Sequence, residues 1–216
     1  MNCDSFTMRL YAVTDRAWTG RQTLYEQVED ALRGGVTCVQ LREKTLAKDA
    51  FLREAVELGA LCRRYGVPFL INDDVEIALK SGADGVHVGQ EDRTAREARR
   101  LLGPDKIVGV SAHTTAEAVK AERDGADYLG VGAVFHTDTK TDVSAMPLST
   151  LRDIRGAVRI PIVAIGGISL ENVGRLAGSG VDGIAVVSAL FAAKNVREAA
   201  ERLRAASERM IAARSD

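Results

Sequence analysis

The sequence predicts a single-domain α/β fold, a (β/α)8 TIM barrel in which eight parallel strands alternate with helices. Three observations carry this prediction: the length of 216 residues, the alternation of short apolar runs with amphipathic segments, and the glycines that recur between them. This length is at the short end of what eight β/α units need. An open, doubly wound sheet is the alternative fold with the same alternation.

The strand candidates are short runs rich in apolar and β-branched residues. They are continuous rather than alternating in polarity, as expected for strands that are buried on both faces of a parallel sheet. These runs occupy residues 10–14, 38–41, 69–71, 85–88, 107–110, 128–131, 162–165 and 183–187.

Amphipathic segments between these runs predict helices over residues 24–33, 48–65, 95–102, 115–124, 149–155 and 170–178. Residues 196–214 read as one closing helix, and residues 1–8 as a loose N-terminal extension. Glycines follow the helices and are expected to end them in the left-handed conformation. No Pro/Ser-rich linker divides the chain, so one domain is expected over residues 1–216.

The composition excludes several functional classes. A formal net charge of −1 argues against a general attraction to nucleic acid or to anionic membranes. No apolar run approaches the roughly 20 residues of a membrane span, and no secretory signal is visible, so we expect a cytoplasmic protein. Cys3, Cys38 and Cys62 lack metal or redox spacing and are expected to be reduced thiols.

In a barrel of this kind the chemistry lies where the strands end. The second strand ends in a largely polar run made of Gln40, Leu41, Arg42, Glu43 and Lys44. Alternation places Gln40, Arg42 and Lys44 on one side and the other two residues on the opposite side. Two cations and an amide at a barrel mouth suit a polyanion such as pyrophosphate, whereas a surface charge cluster is the alternative.

Carboxylates follow the next two strands. Asn72, Asp73 and Asp74 end the third strand, and Asp92 follows the fourth. Sparse carboxylate ligands, completed by water and substrate phosphate, are typical of Mg²⁺ sites. One of Asp73 and Asp74 can instead cap a helix that begins near residue 75.

A serine and a histidine follow the fifth strand. Ser111 can donate a hydrogen bond to a phosphate or to a substrate ring. His113 has no carboxylate partner that is visible in the sequence, so we expect it to support neighbouring residues rather than to catalyse.

The remaining loops indicate an anion site. The long loop over residues 132–141 contains Thr137, Thr139 and Lys140, which suits an anionic ligand under a lid, although a merely flexible loop is the alternative. Gly166 and Gly167 follow the seventh strand, and a short helix is expected to begin near Ser188. The loops after strands seven and eight form the common phosphate site of such barrels. Two anion sites and a carboxylate pair at one mouth indicate transfer between a diphosphate and a monophosphorylated partner.

The chain resembles the thiamine-phosphate synthase family over about residues 9–191. The motifs that carry the resemblance lie in order at the predicted loop positions, which makes chance similarity difficult. They are residues 40–44, 72–74, 89–92, 109–114, 137–140 and 164–168.

The resemblance implies a transferase that joins hydroxymethylpyrimidine diphosphate to hydroxyethylthiazole phosphate or its carboxylate. It implies Mg²⁺ on Asp73 and Asp92. It assigns the diphosphate substrate to Gln40, Leu41, Arg42, Glu43, Lys44, Asn72, Ser111 and Lys140, with catalysis by Arg42, Lys44, Ser111 and Lys140. It assigns the thiazole phosphate to Thr137, Asp138, Thr139, Gly167, Val187 and Ser188.

Two residues depart from the family pattern: Ala133 and His136 stand where the family loop often has proline. Since proline restricts the backbone, we expect altered lid dynamics rather than lost chemistry. The alternative functions are a thiazole tautomerase, which typically lacks the metal carboxylates and carries histidine at the place of Ala133, and a non-catalytic phosphate-binding paralogue. Self-association into a homo-oligomer is left open.

Overall fold

A computed structural model describes residues 3–90, 94–136 and 145–213 of the chain. Over these residues, eight parallel strands follow one another around a closed barrel, and the last strand pairs with the first. The closure confirms the barrel prediction and excludes the open sheet. The strands are β1 (Leu10–Val13), β2 (Cys38–Leu41), β3 (Phe69–Asn72), β4 (Gly85–Val88), β5 (Ile107–Ala112), β6 (Tyr128–Gly132), β7 (Ile162–Ile165) and β8 (Gly183–Val186).

The helices surround the barrel and mostly match their predicted ranges within one or two residues. They are α1 (Leu24–Arg33), α2 (Lys48–Tyr65), α3 (Val75–Ser81), α4 (Ala95–Leu102), α5 (Thr115–Arg123), α6 (Leu148–Ala157), α7 (Ser188–Phe191) and α8 (Val196–Ala212). None of the helices in the part of the chain that the structure describes is long and apolar enough to span a bilayer.

The helix expected over residues 170–178 is wrong in extent and type. The structure has only a short 3-10 helix there, Val173–Leu176. Gly174 lies inside this turn, and Gly178 takes a left-handed φ of 71°. Two glycines within five residues lower helix propensity by about 1 kcal/mol each, which explains why a full α-helix does not form.

The glycines between helices and strands act largely as expected. Gly66 and Gly82 end α2 and α3 with φ of 67° and 70°. After α1 the left-handed residue is Gly35, with φ of 93°, whereas Gly34 keeps a negative φ. Gly34 instead provides space, because a Cβ there would lie 2.4 Å from the carbonyl oxygen of Arg197 on α8.

The expectation of a loose N-terminal extension is wrong for residues 3–8. Met8 is fully buried in the apolar cluster inside the barrel. The Ser5 hydroxyl donates to Asp182 at 3.0 Å. Gly183 admits this segment, since a Cβ there would lie 1.8 Å from the Met8 carbonyl oxygen. The segment therefore closes the lower end of the barrel.

Two apolar clusters stabilise the fold, one between the strands and helices and one inside the barrel. Strand alternation decides which residues enter each cluster. Along β1, Leu10 and Ala12 point outward towards the helices, and Tyr11 and Val13 point inward. The inward residues near the carboxyl ends of the strands form the floor of a cavity.

Candidate active site

A cavity opens at the mouth of the barrel formed by the carboxyl ends of the strands. Side chains predicted from different loops meet here, together with the ends of β7 and β8. The sequence-predicted residues that line the cavity are Gln40, Arg42, Lys44, Asn72, Asp73, Ser111, Gly167, Val187 and Ser188. The structure therefore brings together predicted residues that are up to 148 positions apart in the chain (188 − 40).

Arg42 and Lys44 place positive charge on one wall of the cavity. The Arg42 guanidinium lies 3.7 Å from an Asp15 carboxylate oxygen, and its backbone N–H donates to the Thr14 hydroxyl at 3.0 Å. Lys44 Nζ lies 3.0 Å from Asp73 Oδ2. The neighbouring carboxylates neutralise the charge of the two cations only in part, so an anionic ligand can compete for them.

Leu41 and Glu43 do not present their side chains to the cavity. Leu41 is fully buried in the cluster between strands and helices. Glu43 is paired with Arg16 at 2.9 Å. Burial raises the Glu43 pKa, with a further contribution from the charge of Glu54, while Arg16 opposes the rise. Strand alternation turns both side chains to the outer face, so the assignment of Leu41 and Glu43 to the diphosphate stays a prediction that can involve only their backbone.

The two neighbouring aspartates have different tasks. Asp74 caps α3 by accepting from the Ile77 N–H at 3.0 Å. Asp73 takes a left-handed φ of 62° and directs its carboxylate to Lys44 and the amide of Asn72. One of the two aspartates therefore caps the helix, and the other lines the cavity, which is the position that a metal-binding aspartate would need.

A divalent cation at this mouth would need Asp73. Among the described residues, Asp73 is the one carboxylate that lines the cavity, and no cluster of three or more His, Cys, Asp or Glu side chains exists there. Mg²⁺ is usually held by one or two carboxylates together with water and substrate phosphates. The donor set fits a shared metal–phosphate site of this kind. Asp92 and Glu91 lie outside the described residues.

A chain of buried and half-buried polar side chains forms the floor of the cavity. Gln40 Nε2 donates to the Tyr11 hydroxyl at 2.7 Å, which lies 2.8 Å from the Tyr128 hydroxyl. Tyr128 lies 2.8 Å from His87 Nδ1, and His87 Nε2 lies 3.0 Å from Ser111 Oγ. Burial raises the pKa of Tyr11 and of Tyr128 well above the usual tyrosine value, so both remain protonated.

The sequence interpretation did not identify Tyr11, His87 or Tyr128 as site residues. Each lies within a strand rather than in a loop, and only the inward face of the alternation distinguishes it. A second signal was the glycine opposite Tyr128: a Cβ on Gly109 would lie 2.1 Å from its ring. Glycine inside a strand often marks such a close approach.

His113 has a carboxylate partner, contrary to the sequence-based expectation. Its Nδ1 lies 3.3 Å from Glu117 Oε2, and its backbone N–H donates to the same oxygen at 2.7 Å. Glu117 is one turn further along, in α5, where it also occupies the first turn of the helix. Because His113 lines the cavity, the pair stands at its rim.

The ends of β7 and β8 form the opposite part of the lining. Gly166 and Gly167 have φ of 97° and 67°, which favours glycine. A Cβ on Gly167 would lie 2.1 Å from the His136 carbonyl oxygen, so the loop after β6 passes directly over this turn. The predicted short helix near Ser188 is present as α7, with Val187 as its N-cap.

The loop after β6 is described only in part. Ala133, at one of the two usual proline places, is buried, and its carbonyl accepts from the Met146 N–H at 2.8 Å. His136, at the other, is exposed. The remaining predicted residues of this loop, Thr137, Asp138, Thr139 and Lys140, lie outside the described residues.

Comparisons with known proteins agree on one family. A sequence profile described as thiamine monophosphate synthase matches residues 10–190. The thiamine-phosphate synthase of Chloroflexus aurantiacus is 52% identical over 91% of this chain and 91% of its own length. That of Clostridium acetobutylicum is 48% identical over 89% of this chain and 91% of its own length.

Among solved structures, one supports the same family and another shares only the fold. Thiamine phosphate pyrophosphorylase from Pyrococcus furiosus has a TM-score of 0.87 at 40% identity and covers 96% of this chain and 98% of its own. A 3-hexulose-6-phosphate synthase has a TM-score of 0.64 at 18% identity, covering 92% of this chain and 99% of its own, and shares the fold alone.

Proposed function

The chain belongs to the thiamine monophosphate synthase family and is an enzyme of the thiamine-phosphate synthase class, and on this premise we propose its substrates and mechanism. The substrates are hydroxymethylpyrimidine diphosphate and hydroxyethylthiazole phosphate or its carboxylate. The products are thiamine phosphate and pyrophosphate, with CO2 when the carboxylate is used. The observation that carries this proposal is the convergence of Arg42 and Lys44 with the β7 and β8 turns around one cavity.

Departure of pyrophosphate is the step that this cation wall supports. The bond between the pyrimidine methylene carbon and the diphosphate oxygen breaks, and its electron pair leaves with pyrophosphate. Arg42, Lys44 and Lys140 stabilise the negative charge that grows on the departing oxygen. Asn72 and Ser111 also line the cavity and add hydrogen-bond donors. The electron-rich aminopyrimidine ring delocalises the positive charge that remains on the methylene carbon.

Magnesium is part of the proposal. Asp73 and Asp92 would hold the ion, which when bound supplies further positive charge to the diphosphate. In the described structure Asp73 already faces Lys44 at 3.0 Å. That pairing holds the carboxylate at the edge of the cavity where a diphosphate would arrive.

Capture of the methylene cation requires a second anchored substrate. The turn at Gly167 and the start of α7 at Val187 and Ser188 would hold the thiazole phosphate. The family resemblance assigns Thr137, Asp138 and Thr139 to the same phosphate. Anchoring by the phosphate places the thiazole nitrogen near the methylene carbon, where the new C–N bond forms. No nucleophile from the protein takes part.

The test measures pyrophosphate release with each substrate alone, with both substrates, and with and without Mg²⁺. We expect release only when both substrates and Mg²⁺ are present. Thiazole isomerisation alone would identify a tautomerase, and binding without turnover would identify a phosphate-binding paralogue. Either result would contradict the proposal.

Two lysine variants show whether the cation at residue 44 contributes to activity in the same assay. Lys44→Ala removes a cation from the cavity and is expected to lower kcat by roughly 100-fold, in the range found for single groups that stabilise transition-state charge. Lys80→Ala is the matched control, because Lys80 is similarly exposed and also pairs with one carboxylate, Glu76, at 2.7 Å. Equal activity of the two variants would remove Lys44 from the mechanism.

A further inference from the structure

The polar chain beneath the cavity has a defined direction. It links Gln40, Tyr11, Tyr128, His87 and Ser111 through four contacts of 2.7, 2.8, 2.8 and 3.0 Å. Four of the five side chains come from β1, β2, β4 and β6, and Ser111 comes from β5. A hydroxyl and an imidazole can each donate or accept, so one fixed end determines the orientation of all the others.

Gln40 is the fixed end. Its Nε2 can only donate, so the Tyr11 oxygen accepts this hydrogen bond. Tyr11 is buried, and its hydroxyl has two neighbours that can accept its hydrogen: the Tyr128 hydroxyl at 2.8 Å and the Cys38 thiol. If Tyr128 donated to Tyr11 instead, the buried hydrogen of Tyr11 would have only the Cys38 sulfur, a weak acceptor, which is less favourable than a hydroxyl oxygen. Tyr11 therefore donates to Tyr128.

The same reasoning continues along the chain. Tyr128 accepts from Tyr11, so its own hydrogen points to His87 Nδ1 at 2.8 Å. Nδ1 then acts as an acceptor, and the imidazole carries its hydrogen on Nε2, which donates to Ser111 Oγ at 3.0 Å. The raised pKa of both tyrosines keeps the two hydroxyl hydrogens in place.

We propose that Tyr128 is a positioning residue that holds His87 as the Nε2–H tautomer and thereby makes the Ser111 hydroxyl a donor into the cavity. The consequence for turnover rests on the proposed function. The oxygens of an ionised diphosphate can only accept hydrogen bonds, so they need a serine that donates. In the opposite direction Ser111 would donate to His87 and present only lone pairs to the substrate, which would repel it.

The tautomer can be measured without substrate. Long-range ¹H–¹⁵N correlation spectra distinguish Nε2–H from Nδ1–H imidazole, and the chain has three histidines, so a His87→Gln variant assigns the signals. We expect the Nε2–H pattern in the unmodified protein and in Tyr11→Phe, where Tyr128 still donates. We expect that pattern to be lost in Tyr128→Phe. An Nδ1–H pattern in the unmodified protein would overturn the proposal, even if Tyr128→Phe failed to fold.

Kinetics test whether the direction of the hydrogen bonds determines the donor role of Ser111. Tyr128→Phe is expected to lower kcat/KM for the diphosphate substrate by about tenfold, the equivalent of one hydrogen bond. Tyr65→Phe is the matched control, since its hydroxyl contacts Arg33 and Glu29 at 3.2 Å on the outer surface. In a Ser111→Ala background, which lacks the donor, Tyr128→Phe should lower kcat/KM by less than a further twofold. Full additivity of the two losses would overturn the proposal.

The two proposals fail in different ways. If no combination of substrates gives turnover but the tautomer pattern follows Tyr128, the proposed function is wrong and the hydrogen-bond direction stands. If turnover occurs as proposed but the His87 pattern is indifferent to Tyr128→Phe, the positioning role is wrong and the function stands.

Discussion

At the scale of single residues, Asp73 and Asp74 show how adjacent carboxylates come to act differently. Asp74 lies just before α3, and its side chain satisfies a backbone N–H that would otherwise lack a partner in the helix. Asp73 precedes it in a left-handed conformation that few residues other than glycine, asparagine and aspartate adopt easily. This conformation turns its carboxylate towards Lys44 and the cavity.

The pair predicts a separation of stability from activity. Asp74→Ala should lower the free energy of unfolding by about 1 kcal/mol through loss of the cap, with little change in kcat. Asp73→Asn should keep the stability, because asparagine tolerates the left-handed backbone, while kcat falls on the order of 100-fold with loss of the carboxylate. Urea denaturation and steady-state kinetics on both variants check this. A comparable loss of activity in both would contradict the division.

At the scale of elements, the strands carry glycine where the interior needs room. Gly109 on β5 lies against Tyr128 of the neighbouring β6, and Gly130 on β6 lies against His87, whose ring is 3.0 Å from the Cβ position. Glycine weakens a strand, but at these two positions it leaves the space that the Tyr128 and His87 side chains of the cavity floor occupy. The barrel interior is thus a packed layer rather than a pore.

Alanine at two glycines is expected to have opposite effects. Gly109→Ala would place a Cβ 2.1 Å from the Tyr128 ring and should destabilise the protein by about 3 kcal/mol through overpacking. Gly156→Ala, inside α6, meets nothing within 4 Å and should stabilise by about 0.5–1 kcal/mol through helix propensity. Thermal unfolding measures both. Equal melting temperatures would show that the strand can shift to absorb the methyl group.

Glu76 couples two elements through charge. It contacts Lys48 of α2 at 2.8 Å and Lys80 of α3 at 2.7 Å, and the hydrogen bonds from these two lysines lower its pKa to about 2. A pKa that is lower in the folded state adds stability above the unfolded value of about 4.3 and loses it as the pH falls through 2.

The expected pH dependence follows from this sign. The melting temperature of Glu76→Gln should lie slightly below that of the unmodified protein at pH 5 and above. The gap should close as the pH falls from about 4.3 towards 2. Since the side chain is exposed, the difference is expected to be small and to shrink with added salt. A gap that stays constant down to pH 2 would assign the effect to packing instead.

At the scale of the whole molecule, closure of the barrel buries the thiols. Cys38 is buried inside the barrel, Cys62 is buried on the inner face of α2, and Cys3 is partly buried against the interior cluster. Burial raises the pKa of Cys3 and Cys62 to about 12, and that of Cys38 well above its usual value. Thiolate is the reactive form, so native thiols should react slowly.

Thiol labelling is therefore expected to follow unfolding. At pH 8 an aromatic disulfide reagent should modify the folded protein much more slowly than free cysteine. In urea the three thiols of the chain should become reactive over the same transition that circular dichroism records. A thiol that reacts rapidly before unfolding would show that one of the buried positions opens locally.

Much of the barrel could be predicted because the relevant signals are local. Buried strand runs, amphipathic helices and glycine turns are each encoded within a few neighbouring residues, and so is the alternation that separates Arg42 and Lys44 from Leu41 and Glu43. The prediction of a helix over residues 170–178 was wrong for a reason that was also local, namely the two glycines in this segment. The prediction that residues 3–8 are loose was wrong because these residues pack against the interior of the barrel at its lower end, which exists only once the barrel has closed.

The sequence by itself determined the order of the elements and the loop ends at which the charged and polar residues of the cavity lie. Only the tertiary structure decided that Tyr11 and Tyr128, separated by 117 positions, share a hydrogen bond, and that His87 joins them to Ser111. It likewise decided that Asp73 faces Lys44. The physical reason is that such contacts depend on barrel closure and strand register, which arise from the packing of all eight strands together and not from any short segment.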